Sequence, residues 1–354
     1  MGNCRSRVWQ DREEKGRLHE REMQIEKGVK KSYKRGCKVL VLGSSNSGKS
    51  TIMKQMKILH QNGYSDEELM TFRPLIWKNL VECVHAVVEG LEKFDLVPIQ
   101  PHNKASRRRL MEYTASDDGD FYFDHAIARE AHDLWTDDII PVLMEHSFEF
   151  DLMDSAFYFF ENSQRIGQKD YLPSEEDVLR ARERSTGITQ AQFIEGQLLM
   201  HLYDISGPWL EPKQWVHSFE SVTSIIFCAA LSDYDQLVIL NENGMAESLA
   251  LFDSIVNSYW FLGTSIILFL TKIDIFQRKL LKIPLEKSFP EYTRGSDVRM
   301  GAKYILWSFM KLNRARLSVY PHVLDATRTS DIRLVFVTVK ETVLQNQSSV
   351  SDLL

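Results

Sequence analysis

Cysteine is scarce in this sequence. Cys4, Cys37, Cys83 and Cys228 are scattered over 354 positions, with no C-x-x-C pair and no paired His spacing. That pattern argues against a disulfide framework or a zinc site and makes the cell interior the expected compartment. Long apolar runs are missing too. No stretch reaches the roughly 20 residues that cross a bilayer, and no secretory apolar core follows Met1. There is no internal repeat and no low-complexity tract. Strong charge of one sign is also absent, since the net charge is only −6. Its distribution is uneven, however. Residues 1–35 hold eleven Lys and Arg against six Asp and Glu. A basic arm on an acidic body points to an anionic membrane face more than to nucleic acid, and a solvated charged helix explains it equally well.

What is present is a chain with 44% hydrophobic and 26% charged residues, large enough for two domains. Its organising stretch is Val39-Leu40-Val41-Leu42-Gly43 followed by Ser44 to Thr51. A short β-branched and leucine-rich run reads as a buried strand. It enters G-x-x-x-x-G-K-S and then a helical pattern at Ile52, Met56 and Leu59. This is the context of a phosphate loop. Glycines let main-chain N–H groups close on phosphate oxygens, and the following helix aims its positive end at them. Lys49 is placed between β- and γ-phosphates, and the Ser50 hydroxyl is placed for Mg²⁺.

The chain opens Met1-Gly2-Asn3-Cys4-Arg5-Ser6. Gly2 fits the myristoylation pattern and Cys4 is positioned for a second acyl chain; two lipids with basic residues anchor stably where one is marginal. Residues 8–34 read as an exposed helix. From Ser65 the character changes. Ser65-Asp66-Glu67-Glu68 is a capping box, and Leu69, Phe72, Ile76, Leu80, Val84, Val87 and Leu91 recur at helical spacing. Further helices are expected near 104–115, 122–146 and 149–162, with Arg107-Arg108-Arg109 as a solvated face. No strand is expected until about residue 180. Strand signals then return at Ile188–Glu195, Leu198–Ile205, Ser224–Ala230, Ser265–Leu270 and Arg316–Leu324, with a last amphipathic helix at about Ser330–Gln347. The expected fold is α/β, a mainly parallel sheet interrupted by an all-helical insert, with ligands at the strand C-terminal edge.

Three later stretches narrow the chemistry. Leu202-Tyr203-Asp204-Ile205-Ser206-Gly207 ends a strand with an acid and small residues, so that Asp204 is placed for Mg²⁺ through water and the Gly207 N–H for a γ-phosphate. In Phe269-Leu270-Thr271-Lys272-Ile273-Asp274, the final carboxylate is suited to the N1–H and N2–H₂ donors of guanine. Arg182-Glu183-Arg184-Ser185 joins the insert to the sheet, with an Arg for transition-state charge and a hydroxyl for Mg²⁺.

In that order, these motifs resemble the α subunit of heterotrimeric G proteins over nearly the full chain. Asp154-Ser155, Asp177 to Arg182, Gly187-Ile188, Trp215 with Phe219, Leu268 to Asp274 and Ala326-Thr327 all fit. The resemblance implies a Ras-like P-loop GTPase domain with a six-stranded, mainly parallel sheet, formed by residues 36–64 and 184–354. It implies an inserted helical domain at 65–183, and an N-terminal helix with a lipid anchor at 1–35. It further implies GTP and GDP as ligands, Mg²⁺, a βγ dimer, a seven-helix receptor, an effector and the cytoplasmic face of the plasma membrane, with no nucleic acid. Arg182 and Lys49 take the catalytic roles, and Ser50 and Ser185 bind the metal. The nucleotide is contacted by Gly43, Asn46, Ser47, Gly48, Lys49, Ser50 and Thr51, and by Asp154, Ser155, Leu179, Arg180 and Arg182. Ser185, Asp204, Gly207, Thr271, Lys272, Asp274 and Ala326 complete the set.

Departures from the family pattern are equally specific. Ser45 and Asn46 replace a Gly and a Glu, so a Cβ stands beside the γ-phosphate position. The water-orienting Gln falls on Pro208, which has no side-chain amide and a fixed φ. Losing one such contact costs about 3 kcal/mol, or on the order of a hundredfold in rate. Thr271 stands for an Asn and Arg328 for an Asp, which weakens base affinity. Trp209, Leu210 and Pro212 replace basic and polar residues where a partner docks. The expected function is a membrane-anchored switch with slowed hydrolysis. The alternative is a pseudo-GTPase that sequesters βγ or a receptor without turnover. An unrelated P-loop ATPase or small-molecule kinase is the third reading.

Overall fold

The structure, a computed structural model, describes residues 35–116, 123–147, 149–183, 187–195, 198–206, 222–235 and 244–351. The apolar runs become a six-stranded sheet. In chain order the first elements are β1 (Arg35–Gly43), α1 (Lys49–His60), α2 (Asp66–Lys93), α3 (Pro101–Glu112) and α4 (His125–Trp135). Four short helices follow, α5 (Ile140–Leu143), α6 (Ala156–Glu161), α7 (Ser163–Ile166) and α8 (Glu175–Arg180). Then come β2 (Gly187–Glu195), β3 (Leu198–Ser206), β4 (Ser224–Ala230), α9 (Gly244–Val256) and β5 (Ser265–Thr271). The last are α10 (Ile273–Leu280), α11 (Val298–Leu312), β6 (Val319–Val323) and α12 (Thr329–Ser351).

The strands lie in the order β2-β3-β1-β4-β5-β6, parallel throughout except for the β2–β3 pair. Every residue of β4 and β5 is buried. Helices on both faces explain why these strands show no polar alternation. On one face Phe227, Phe252, Phe276 and Phe309 meet beneath α9, α10 and α11. On the other, Ile52 and Met56 of α1 and Ile332, Phe336 and Val339 of α12 cover Val39, Val41 and Phe269. Because β1, β3, β5 and β6 run the same way, their C-terminal ends open on one edge, where the site forms.

A second core belongs to the helices alone. The capping box at Ser65 and Glu68 forms, and α2 runs through Pro74 to Lys93. Its stripe of Ile76, Leu80, Val84, Val87 and Leu91 packs on Ala128, Ala131, Leu134, Phe159 and Phe160. Arg107, Arg108 and Arg109 pair with Glu92, Glu112 and Glu130 on the solvated face the sequence implies. Several boundaries differ from expectation, among them α3, which runs Pro101–Glu112 rather than 104–115. The helix foreseen over 122–146 stops at Trp135 because the buried Asp137 carboxylate accepts the N–H groups of Ile99, Gln100 and Ile139, at 2.9, 3.0 and 3.1 Å. The segment foreseen over 149–162 becomes helical only from Ala156. The last strand starts at Val319 rather than Arg316, whose φ of +56° belongs to a turn.

A buried carboxylate ties α6, α7 and α8 together. Asp177 accepts from Arg165 at 2.9 and 2.7 Å, from the Tyr158 hydroxyl at 2.8 Å and from the Ser174 N–H at 2.8 Å. Burial acts to raise its pKa, but the Arg165, Ser174 and Tyr158 hydrogen bonds hold it below the ordinary 3.8. A carboxyl depressed in the fold stabilises fully above its unfolded pKa and loses that contribution as pH falls through the folded value. Asp177→Ala should therefore cost roughly 3 kcal/mol in urea unfolding at pH 7, near the low end for opening a buried pair because Arg165 keeps access to water. The gap to wild type should narrow as the pH drops past 3.8. Equal stability of the two proteins at pH 7 would refute the assignment.

Candidate functional site

The loop from Gly43 to Lys49 is shaped by what surrounds it. A Cβ on Gly43 would lie 2.1 Å from the Cys228 carbonyl oxygen, so only glycine fits between β1 and β4. Gly48 has a φ of +94° and begins α1 from the left-handed region, which glycine adopts without strain. Asn46 also has a left-handed φ of +58°, a conformation Asn tolerates. Ser47 donates its hydroxyl to the Ser44 carbonyl at 2.8 Å. From β5, Thr271 donates to the Ser47 carbonyl at 2.8 Å. The loop is thus fastened from within and from the neighbouring strand.

Lys49 is folded into this loop. Its ammonium donates to the carbonyls of Gly43 and Ser44 at 2.8 and 2.7 Å. Burial lowers its pKa, opposed by the nearby Asp204 carboxylate. Its contacts among the described residues are neutral carbonyls, so the site carries a buried positive charge toward which an anion is drawn. Beside it, the Ser50 and Ser206 hydroxyls donate to Asp204 at 3.3 and 2.9 Å. Burial raises the Asp204 pKa, while Lys49 and these hydroxyls counter it. No cluster of three or more His, Cys, Asp or Glu fit to hold a metal exists among the described residues. The hydroxyl and carboxylate there suit a hard cation that keeps water and phosphate oxygens as its other ligands.

The helical elements close the opposite wall. Asn79 of α2 brackets the Arg182 backbone, accepting its N–H at 2.7 Å and donating to its carbonyl at 3.0 Å. Lys54 of α1 donates to the Val178 and Ala181 carbonyls at 2.9 and 2.7 Å. Burial brings the Lys54 pKa down to about 8 despite Glu183. Lys272 pairs with Asp154 at 2.5 Å and lies 4.0 Å from Asp233. Burial would lower the Lys272 pKa, but the two carboxylates win and raise it. Asp233, more deeply enclosed, is pushed up to about 6 by burial, against the pull of Lys272. Asp154 therefore acts as a latch to the β5–α10 turn rather than as a free carboxylate. Arg180 is turned toward Glu176, at 3.2 Å, and lies over the Tyr158 ring.

On the third side, Asp274 opens α10. Burial and the neighbouring Asp325 raise its pKa, while Arg278, 3.6 Å away, opposes them. Asp325 accepts from the Thr327 N–H and hydroxyl at 2.9 and 2.7 Å and pairs with Arg328 at 3.4 Å. The Ala326 carbonyl accepts from Gln55 of α1 at 3.0 Å.

These walls enclose a cleft of about 600 Å³, within the range of small-molecule sites. Gly43, Asn46, Ser47, Gly48, Lys49, Ser50 and Thr51 line it together with Asp154, Ser155, Leu179, Arg180 and Arg182, and with Lys272, Asp274 and Ala326. Ser45 stands at its exposed lip. Asp204 and Thr271 sit just behind the lining and hold it through the bonds given above. Gly2, Cys4, Ser185, Gly207 and Pro208 lie outside the described residues. Motif reading missed Asn79, Lys54, Glu247, Arg278 and Asp325. Asn79 had a signal, being an amide on the apolar stripe of α2 that needs a partner once buried. The others sit at sites fixed by tertiary contact.

A family model described as "G-protein alpha subunit" matches residues 14–343. The chain is 55% identical over 349 residues to a guanine nucleotide-binding protein alpha-3 subunit of Mycosarcoma maydis, covering 98% of each. It is 52% identical over 335 residues to a guanine nucleotide-binding protein subunit alpha of Cryptococcus neoformans, covering 94% of this chain and 77% of that one. Against an alpha-2 subunit of Saccharomyces cerevisiae it is 46% identical over 319 residues, covering 87% and 70%. With the phosphate loop, the mostly parallel sheet and the helical insert in place, this match over nearly the whole sequence shows that the chain belongs to the α subunits of heterotrimeric G proteins.

Proposed function

We propose that the cleft binds GTP and GDP with Mg²⁺ and that the chain works as a membrane-anchored switch hydrolysing GTP slowly. The observation that carries this is the Lys49 ammonium, buried at the converging strand ends with neutral carbonyls around it and the Ser50–Asp204 pair beside it. A phosphate there gains the ammonium, the main-chain N–H groups of the loop and the start of α1. Across the cleft, Asp274 reads the guanine edge, with Lys272 and Ala326 framing it and Thr271 behind the lining. When bound, Mg²⁺ supplies charge neutralisation between phosphate oxygens; Ser50 and Ser185 would hold it, with Asp204 behind. Arg182, its backbone held by Asn79, answers the negative charge that grows on the transferred phosphoryl group. Pro208 removes the amide that would orient water, and Ser45 narrows the lip.

By the same reading, acyl chains on Gly2 and Cys4 hold the chain to the cytoplasmic face of the plasma membrane. Among the described residues no helix is long and apolar enough to cross a membrane. The partners are a βγ dimer, a seven-helix receptor and an effector. A second reading, a pseudo-GTPase that sequesters βγ or a receptor, draws on one observation. The Thr271 hydroxyl is directed to the Ser47 and Ala229 carbonyls and not to the cleft, which leaves fewer contacts for a base. Protein that purifies with no nucleotide, or with intact GTP that never turns over, would favour it.

In a single-turnover assay with Mg²⁺, wild-type protein should release phosphate slowly and Pro208→Gln should raise that rate about a hundredfold. An unchanged rate in Pro208→Gln defeats this account of the slow step. For the base, Asp274→Ala should weaken GDP binding by about tenfold to a hundredfold, the size of a lost charged hydrogen-bond partner. Competition with ADP provides the check, since the variant should lose its preference for guanine. If GDP still outcompetes ADP to the wild-type extent, Asp274 does not read the base.

A further inference from the structure

We infer that Ser44 and Ser248 form a hydroxyl pair by which helix α9 positions the phosphate loop, and Lys49 with it. This rests on the nucleotide site proposed above and extends it to a helix that the motifs did not implicate. The two side-chain oxygens are 2.7 Å apart and both residues are buried, although 204 positions separate them in sequence. A buried hydroxyl needs a partner, and these two satisfy each other. The placement of Ser44 is what gives the pair consequence. Its own carbonyl accepts both the Lys49 ammonium at 2.7 Å and the Ser47 hydroxyl at 2.8 Å. A displacement of Ser44 therefore carries one of the two carbonyls that orient the ammonium.

The loop is held at two points. Ser44 is fixed from α9 and Ser47 from β5 through Thr271. Between them, Ser45 and Asn46 stand exposed at the cleft, free to meet a ligand. Helix α9 acts on Lys49 a second time, because Glu247, next to Ser248, lines the cleft and its charge favours the protonated ammonium. One short stretch of α9 thus holds the loop through Ser248 and adds, behind burial and the Asp204 carboxylate, a negative charge near its cation. Ser44 and Ser248 are positioning residues, since neither lines the cleft.

The test is the rate of GDP release from the full chain, followed with a fluorescent GDP analogue in Ser44→Ala, Ser248→Ala and the double variant. Each single change should speed release about fivefold, the order expected when a buried hydroxyl loses its partner. The double variant should be no faster than either single one, because both changes break the same link. Ser254→Ala serves as the control. That hydroxyl bonds the Leu251 carbonyl within α9 itself, so its loss perturbs the helix but not the link, and release should match wild type. The weakening should also be larger for GDP than for GMP, which a general loss of stability would not produce. Single variants within twofold of wild type, a double variant whose effect is the product of the two, or Ser254→Ala matching them would each overturn the pair. A wild-type chain that takes up no GDP would overturn the nucleotide site itself and this assignment with it.

Discussion

The buried ammonium of Lys49 sets the terms that its surroundings meet. A cation this deeply buried is costly unless dipoles or opposite charges replace its hydration. Here two carbonyls do so at contact distance, with the Asp204 carboxylate and the charge of Glu247 acting from further away. Those carbonyls face Nζ only because the chain turns sharply after β1, and the turn requires a residue without a Cβ at Gly43 and a left-handed one at Gly48. The parallel sheet then brings Asp204, Thr271 and Asp325 to the same edge from three other strands. Fold and site are in this sense one problem. The charge cannot be buried without the turn, and the turn cannot be held without the neighbouring strand ends.

A second constraint joins the helical elements to the sheet. Lys54 reaches from α1 to the carbonyls after α8, Asn79 clasps Arg182 on both sides of its backbone, and Lys272 pairs with Asp154. These links differ in kind. Asn79 and Lys54 act on main-chain groups and fix where Arg182 leaves the helices. The Lys272–Asp154 pair is between side chains that keep some contact with water, so solvent screens it. Separating the two walls of the cleft demands the loss of that ion pair, and Arg182, whose backbone Asn79 holds, lines the same cleft.

What could be read from sequence follows from this division. The phosphate loop and the central strands were legible because their signals are local. Gly43 through Thr51 carries its own spacing, and β4 and β5 are continuous apolar runs. The helical insert was legible as a type but not in its breaks, since the end of α4 depends on Asp137 receiving N–H groups from Ile99 and Gln100, almost forty residues earlier. Residues that line or hold the cleft from a distance left weaker traces. Nothing near Ser44 announces Ser248, and nothing near Arg328 identifies Asp325 as its partner before the β6–α12 turn is built. Asp154 matched a motif, yet its chemistry here is set by Lys272, a contact between two cores that no local pattern encodes.

The departures from the family pattern divide along the same line. At the base end, Arg328 stands where an acid is expected, but Asp325 supplies a carboxylate three residues earlier, pairs with it and orders the Thr327 turn. Thr271 lacks an amide, yet its hydroxyl still ties β5 to the phosphate loop. Neighbours answer the charge of Arg328, Thr271 keeps a structural bond, and Asp274 still lines the cleft where the proposed base contact would form. At the phosphate end the changes add bulk or remove a function. Ser45 places a side chain on the lip of the cleft, and a proline, whose ring offers no donor or acceptor, replaces the amide that would hold water. A side-chain amide can be lost without harm where another group fills its role, but orienting water requires a donor and an acceptor at one place. That asymmetry is what the proposed switch rests on, with guanine nucleotide kept and its turnover slowed, as against a pseudo-GTPase that sequesters partners without turnover.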